Sequence, residues 1–230
     1  ELSEDYLNRS VHSMSEVRNE LFSYRFSGGH KIGSGKLSVG VEYTNTNRHD
    51  NYTNLEEYVP TSVSQLKEKQ TSPFMQYSAL TPVGLLTAGL RYEYVSFNYY
   101  SSGVKAPEQS RTDRQWFPGL SWGVKFGALQ AQLNYTTSTN RPTYRQLSNN
   151  VFYVDRYTWQ TGNPLLRSEY THDITLQGIW HWLQFQLSYE DCRHAIIYWA
   201  TQYAGNEDIS MVSYKNLPSV KQVKAAFVIS

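Results

Sequence analysis

The chain has 230 residues, 21 Lys and Arg against 20 Asp and Glu, and a formal net charge of +1. That balance gives no electrostatic case for a nucleic-acid partner. A single cysteine, Cys192, excludes an internal disulfide, and no apolar stretch approaches the ~18–20 residues of a membrane-crossing helix, although barrel strands need only ~9–11.

Ten strands are predicted from alternation and breaker residues, over 16–26, 36–46, 70–80, 85–97, 114–126, 129–138, 169–179, 182–192, 209–216 and 221–230. The first carries Phe22, Tyr24 and Phe26 on one face. After the short turn at Gly28–Gly35 comes Leu37, Val39, Val41, Tyr43, with Ser38, Gly40 and Glu42 between them. A long loop, Asn47–Lys69, leads to the row Met75, Tyr77, Ala79. The turn Thr81–Gly84 opens Leu86, Ala88, Leu90, Tyr92, interleaved with Thr87, Gly89 and Arg91. After Asn98–Asp113 the row is Leu120, Trp122, Val124, Phe126; after Gly127–Ala128 it is Leu129, Ala131, Leu133, Tyr135, with Gln130, Gln132 and Asn134 between. The loop Thr139–Ser168 precedes Ile174 and Leu176, and a turn at Trp180–His181 precedes Leu183, Phe185, Leu187, Tyr189. A moderate loop at Gln202–Asp208 and a short turn at Leu217–Ser219 frame the last two strands, the second carrying Ala225, Phe227 and Ile229 and reaching Ser230.

A period of two puts apolar and polar sets on opposite faces of a strand. Four of the rows end in tyrosine and all four follow short turns, so they run in one direction and finish at one rim. Tyrosine joins an apolar ring to a wet hydroxyl and suits the membrane–water boundary. The same plan reconciles 19 tyrosines and 15% aromatic residues with a mean hydropathy of −0.57. Short turns at one end and long loops at the other define an antiparallel up-and-down transmembrane β-barrel, all-β, with apolar side chains toward lipid and polar ones toward a lumen. A soluble β-rich binding module, whose apolar faces pack sheet on sheet, is the main alternative.

The segment 141–166 is more specific. It reads Arg141-Pro142-Thr143-Tyr144-Arg145-Gln146-Leu147, later Asp155-Arg156-Tyr157-Thr158-Trp159-Gln160, then Thr161-Gly162-Asn163-Pro164-Leu165-Leu166. This resembles the R-P-x-Y-x-x-L … G-N-P-x-L pattern of TonB-dependent outer-membrane receptors, particularly the barrel family common in Bacteroidetes. Gly89-Leu90-Arg91-Tyr92-Glu93, Trp116-Phe117-Pro118-Gly119-Leu120-Ser121, Asn134-Tyr135-Thr136 and Asn216 resemble further parts of that family, in its order, from about Glu16 to Ser230. The resemblance implies uptake of a nutrient across the outer membrane of a Gram-negative bacterium. It implies contact with outer-membrane lipid, with a TonB energy-transducing complex through a plug domain, and with a surface lipoprotein in some members. The ligand would be a small molecule, glycan or peptide. Against a family pattern of about 22 strands and an N-terminal plug, this chain reads as a barrel fragment, 1–230, lacking the plug and the final strands. Glu1 opens a polar segment with no signal peptide, so the chain reads as mature or as a piece of something longer.

Candidate ligand contacts follow from the resemblance and from exposure: Arg141, Tyr153, Tyr157, Trp159 and Asn163 in the long loop, and Arg91 and Glu93 on the lumen face. Glu42, Arg91 and Glu93 could equally form a cross-strand charge ladder. The loop aromatics Tyr52, Tyr58, Tyr99, Tyr100, Phe152, Tyr153, Tyr157 and Trp159 could bind ligand or pack loop on loop. Catalysis has little support: Asp155, His172 and Asp173 are the only candidates for a rim hydrolase and follow no motif. Cys192 and His194 share a strand face opposite Asp191 and Arg193, leaving no oriented base. His172 and His181 are expected to approach across a hairpin, with no third ligand for a metal. No cofactor is implied.

Overall fold

In the computed structural model, residues 12–57 and 60–229 are described; Tyr58 and Ser230 lie outside them. Nine long strands carry the fold: β1 Ser13–Ile32, β2 Gly35–Asn54, β3 Ser62–Thr81, β4 Gly84–Ser101, β6 Arg111–Phe126, β7 Leu129–Asn140, β10 Glu169–Trp180, β11 Leu183–Tyr203 and β12 Asn206–Ile229. Each pairs antiparallel with its neighbour in that order. A two-residue strand, β5 Val104–Lys105, folds back on β4. The segment between β7 and β10 holds α1 Tyr144–Leu147, β8 Val151–Asp155 and β9 Thr158–Thr161. β9 runs parallel to β12, Thr158 opposite Ser210, so the small hairpin is the far edge of the sheet. β1 is the other edge, and the described residues do not close the sheet into a ring.

The strands exceed their predicted lengths at the loop end, where the apolar-out, polar-in alternation is lost. Thr44–Asn54 of β2 is polar except for Tyr52, yet it pairs residue by residue with β1 and β3. The loop predicted at Asn47–Lys69 is therefore a hairpin whose connection starts at Leu55. Two predicted boundaries are wrong. The strands expected at 209–216 and 221–230 are one strand, β12, and Leu217–Ser219 is inside it. Pairing with β11 skips only Pro218 and His194, which has φ 55°, and resumes on both sides, so the strand runs through. The loop expected at Gln202–Asp208 is the two-residue turn Ala204–Gly205.

Register confirms the two-faced strands. Leu133 lies between Trp122 and Leu176, and Leu187 between Leu176 and Ala225. These rows are bare: Val39 is 47%, Leu120 43% and Leu187 41% exposed. Among the described residues no second sheet covers them, as the sheet-on-sheet packing of a soluble sandwich would require. The opposite face is hydrogen-bonded polar surface. Gln132 Nε2 donates to Ser121 Oγ at 3.1 Å and to Asn134 Oδ1 at 3.0 Å, and Gln177 donates to the Gln132 carbonyl at 3.2 Å. The tyrosine rim is built as read. Tyr92 meets Trp116 at 4.6 Å between ring centroids, and Tyr135 stacks on His172 at 6.1 Å and shares a 2.9 Å hydrogen bond with its Nδ1.

Candidate functional site

The buried apolar cluster of this protein lies inside the loop end of the lumen. Leu66, Phe97 and Tyr99 project inward from β3 and β4, Tyr214 from β12, and Leu147 and Leu166 descend onto them from the 141–168 segment. The segment is thus a lid over the lumen, and its sequence shows why. Thr143 caps α1 by accepting from the Gln146 N–H while the Gln146 side chain accepts from the Thr143 N–H. Such a short helix needs both bonds. Tyr144 receives Arg48 over its ring at 5.5 Å, and burial pushes its phenol pKa up.

The Gly-Asn-Pro turn is a clamp. A Cβ on Gly162 would collide with the Ser148 carbonyl and sit 2.6 and 2.7 Å from those of Gln146 and Arg145. Only glycine lets this turn close on the end of α1. Asn163 donates its backbone N–H to the Gln146 carbonyl at 2.6 Å and its side chain to the Tyr214 carbonyl at 2.9 Å. Asn216 holds the return of the lid, accepting from the Arg167 N–H at 2.8 Å and donating to the Arg167 carbonyl at 3.0 Å.

At its start the lid is tied to a ladder of charge on the lumen wall. Arg25 reaches Glu42 at 3.1 Å, Glu42 reaches Arg91 at 2.8 Å, and Arg91 reaches Glu93 at 2.9 Å. Glu93 also accepts from Arg141, the first residue after β7. Sequence reading anticipated Glu42, Arg91 and Glu93 as a ladder. It missed Arg25, which joins only because the β1–β2 register sets it opposite Glu42, and it did not link Arg141 to Glu93.

The candidate ligand contacts therefore separate. Arg91, Glu93 and Arg141 are brought together in the ladder, and Asn163 is spent on backbone. Tyr153 and Trp159 face each other across the β8–β9 hairpin, and Trp159 packs on Tyr203 at 4.8 Å with its indole Nε1 buried and unpartnered. Tyr157 is half exposed at the hairpin tip beside Arg156. Of the loop aromatics, Tyr52 and Tyr99 are packed, Tyr52 against Phe152 at 5.0 Å and Tyr99 through its hydroxyl to Asn149 at 2.9 Å.

The residues named for the alternative chemistry lie apart. Asp155 sits in the hairpin turn, bonded to the Tyr157 N–H; Asp173 faces the lumen with Thr175; His172 faces out with Tyr135. His172 and His181 do not approach, because His172 is opposite Asp191 near one end of β10 while His181 is in the turn past the other. No group of three or more metal-ligating side chains occurs among the described residues.

The model of the outer membrane protein beta-barrel family matches residues 3–230. The chain belongs to that family. This outer-membrane barrel chain accordingly crosses the Gram-negative outer membrane with the strands described above. Its fold is similar to that of the copper transporter OprC (14% identity, TM-score 0.65), with 94% of this chain aligned to 35% of that one. It is similar also to a double mutant of the Serratia marcescens hemophore receptor HasR in complex with its hemophore HasA and heme (12%, 0.61, 94% on 39%) and to the ferric yersiniabactin uptake receptor FyuA from Yersinia pestis (10%, 0.53, 94% on 33%). The barrel chain thus spans little more than a third of the length of these proteins. No curated protein matches it in sequence.

Proposed function

We propose that this chain is part of the barrel of a TonB-dependent receptor that takes up a scarce nutrient, with the 141–168 lid at the cell surface and a plug domain in the lumen. The observation that carries the reading is the lid itself. It is a well-packed structure folded into the lumen mouth and tied by Arg141 to charged side chains that line the wall below. A plain pore has no need of such a closure. The concave surface near the short turns, bordering about 1250 Å³, sets the amides of Gln130, Gln132, Gln177, Gln184 and Gln186 among apolar side chains such as Ile179 and Val228, and so offers a plug both polar partners and apolar contact. The edge of β1, and that of β12 beyond Ser210–Val212 where it meets β9, suit continuation into a larger ring, since an unpaired edge is costly in lipid. The similar proteins named above are a copper transporter, a hemophore receptor in complex with hemophore and heme, and a ferric yersiniabactin uptake receptor, in keeping with a scarce nutrient.

In this mechanism no covalent bond is made or broken. Ligand would be met by the exposed hairpin tip around Tyr157 and by Tyr153 and Trp159, then by Arg91, Glu93 and Arg141 as the lid yields, while Asn163 holds the lid turn. Deleting 142–166 in the full-length protein should abolish uptake while leaving a detergent-extractable, heat-modifiable barrel. Uptake that continues unchanged removes the lid from the transport path.

A further inference from the structure

The barrel wall contains a gap. β6 and β7 pair only where Leu120–Phe126 lies against Leu129–Tyr135. Toward the loop end, Arg111–Gly119 pairs with β4 alone and Thr136–Asn140 with β10 alone. The break begins at Pro118, which has no N–H to give to a neighbour. Two hydroxyls from the far bank reach across instead. Thr137 donates to the Pro118 carbonyl and Tyr170 to the Trp116 carbonyl, each at 2.7 Å. These bonds fix the direction of the even-numbered carbonyls of β6, so by alternation the backbone groups of Thr112 and Arg114 also face the gap. No strand pairs with them on that side.

The two banks do not abut edge to edge. Phe117, from the lumen-facing row of β6, meets Tyr170, from the outward row of β10, at 5.5 Å between rings. Between them lies a cavity of about 510 Å³. Five arginines line it (Arg111, Arg114, Arg141, Arg167, Arg193) against three acids (Glu93, Asp113, Glu169). The acids are already engaged. Glu93 holds Arg91 and Arg141, and Asp113 holds Arg111 at 3.3 Å. The two oxygens of Glu169 accept from the Ile196 N–H and the Asn140 side chain, each at 2.6 Å. Arg114 and Arg167 have no ion-pair partner among the described residues, and Arg193 reaches only Asp191, at 3.7 Å.

We infer that this gap is a binding site for a ligand that presents clustered anionic oxygens, carboxylate or phosphate. Guanidinium forks match such groups bidentately, and open backbone N–H groups beside them add neutral donors. The site deepens the transport reading and rests on it where the ligand is a substrate. The same chemistry belongs to a phosphorylated lipid headgroup, because the gap opens at the level of the aromatic rim, beside Trp116.

The test uses the purified full-length protein in detergent. Tricarballylate and pyrophosphate are titrated by calorimetry, and retention of phosphatidylglycerol against phosphatidylcholine is read by native mass spectrometry. Arg167→Gln and Arg193→Gln are compared with Arg167→Lys, and heat-modifiable mobility shows that each is folded. Each Gln variant should weaken anion binding about tenfold or more, with Arg167→Lys intermediate. Binding of the free anions identifies a soluble ligand, and selective retention of phosphatidylglycerol alone identifies a headgroup; both require loss in the Gln variants. No anion bound in either form, or binding unchanged in the variants, overturns the site. Binding retained in a protein that supports no uptake would sink the transport reading and leave this one standing.

Discussion

Arg141 donates a guanidinium hydrogen bond to Glu93, joining the first residue of the lid to a carboxylate 48 positions earlier on the lumen wall. Glu93 is 7% exposed and shares its other oxygen with Arg91. Removing Arg141 leaves a buried carboxylate with one cation instead of two. Arg141→Gln should loosen the lid by about 1.5–3 kcal/mol, the scale of a hydrogen bond to a charged group, without unfolding the barrel. Hydrogen exchange over 144–161 should quicken while β10 and β11 stay protected. Equal protection in the variant would mean that the apolar contacts alone hold the lid.

Gly162 is the second fastening. Gly162→Ala places a methyl against three backbone carbonyls that cannot move independently, and overpacking of this kind costs about 1–3 kcal/mol. Lid protection should fall as it does for Arg141→Gln. Gly28→Ala, in open space on β1, should change stability by less than about 0.5 kcal/mol. Equal behaviour of the two variants would show that the clamp at Gly162 is loose.

Leu133 and Gln132 test the faces. Leu133→Arg should impair insertion by ~2–4 kcal/mol at mid-bilayer, and Gln132→Arg, facing the lumen, should insert nearly normally. Refolding into lipid vesicles measures both. A Gln132→Arg defect as large as that of Leu133→Arg would reverse the assigned faces.

The Tyr144 phenol titrates above its ordinary value because burial disfavours the phenolate. The sign follows from linkage: the folded lid binds this proton more tightly than the open one, so the contribution is intact below the ordinary tyrosine pKa and is lost as pH rises through the folded value. Lid protection should therefore fall in strongly alkaline solution, and Tyr144→Phe should blunt that fall. An alkaline transition unchanged in Tyr144→Phe would assign it to another group.

The membrane part of the barrel was legible because each strand there has two different faces. Rows such as Leu183, Phe185, Leu187, Tyr189 announce themselves by alternation, and the register sets them in line. Where both faces are polar, as over Thr44–Asn54 with Tyr52 alone aromatic, pairing rests on backbone bonds and on buried polar side chains such as Thr46, Asp50 and Asn54, which leave no apolar alternation in the sequence. The turn expected at Leu217–Ser219 does not form because pairing with β11 resumes on both sides of the interruption at Pro218 and His194, which only the register reveals. In the lid, the Arg-Pro and Gly-Asn-Pro motifs were visible, but the roles of Arg141 and Asn163 were not. Their partners, Glu93 and the Tyr214 carbonyl, are remote in sequence. The β6–β7 gap was hidden for the same reason, since Arg111, Arg167 and Arg193 converge only through the register of separate strands.

The most direct test of the account is surface labelling of the full-length protein on intact cells. An epitope tag is inserted at the exposed lid turn Asp155–Tyr157, and extraction with and without detergent is followed in parallel. Labelling of intact cells by a protein released only by detergent is the predicted result, with the lid outside and the bare apolar rows in lipid. A tag that stays inaccessible, on a protein recovered in buffer without detergent, would contradict the membrane barrel and the transport function built on it.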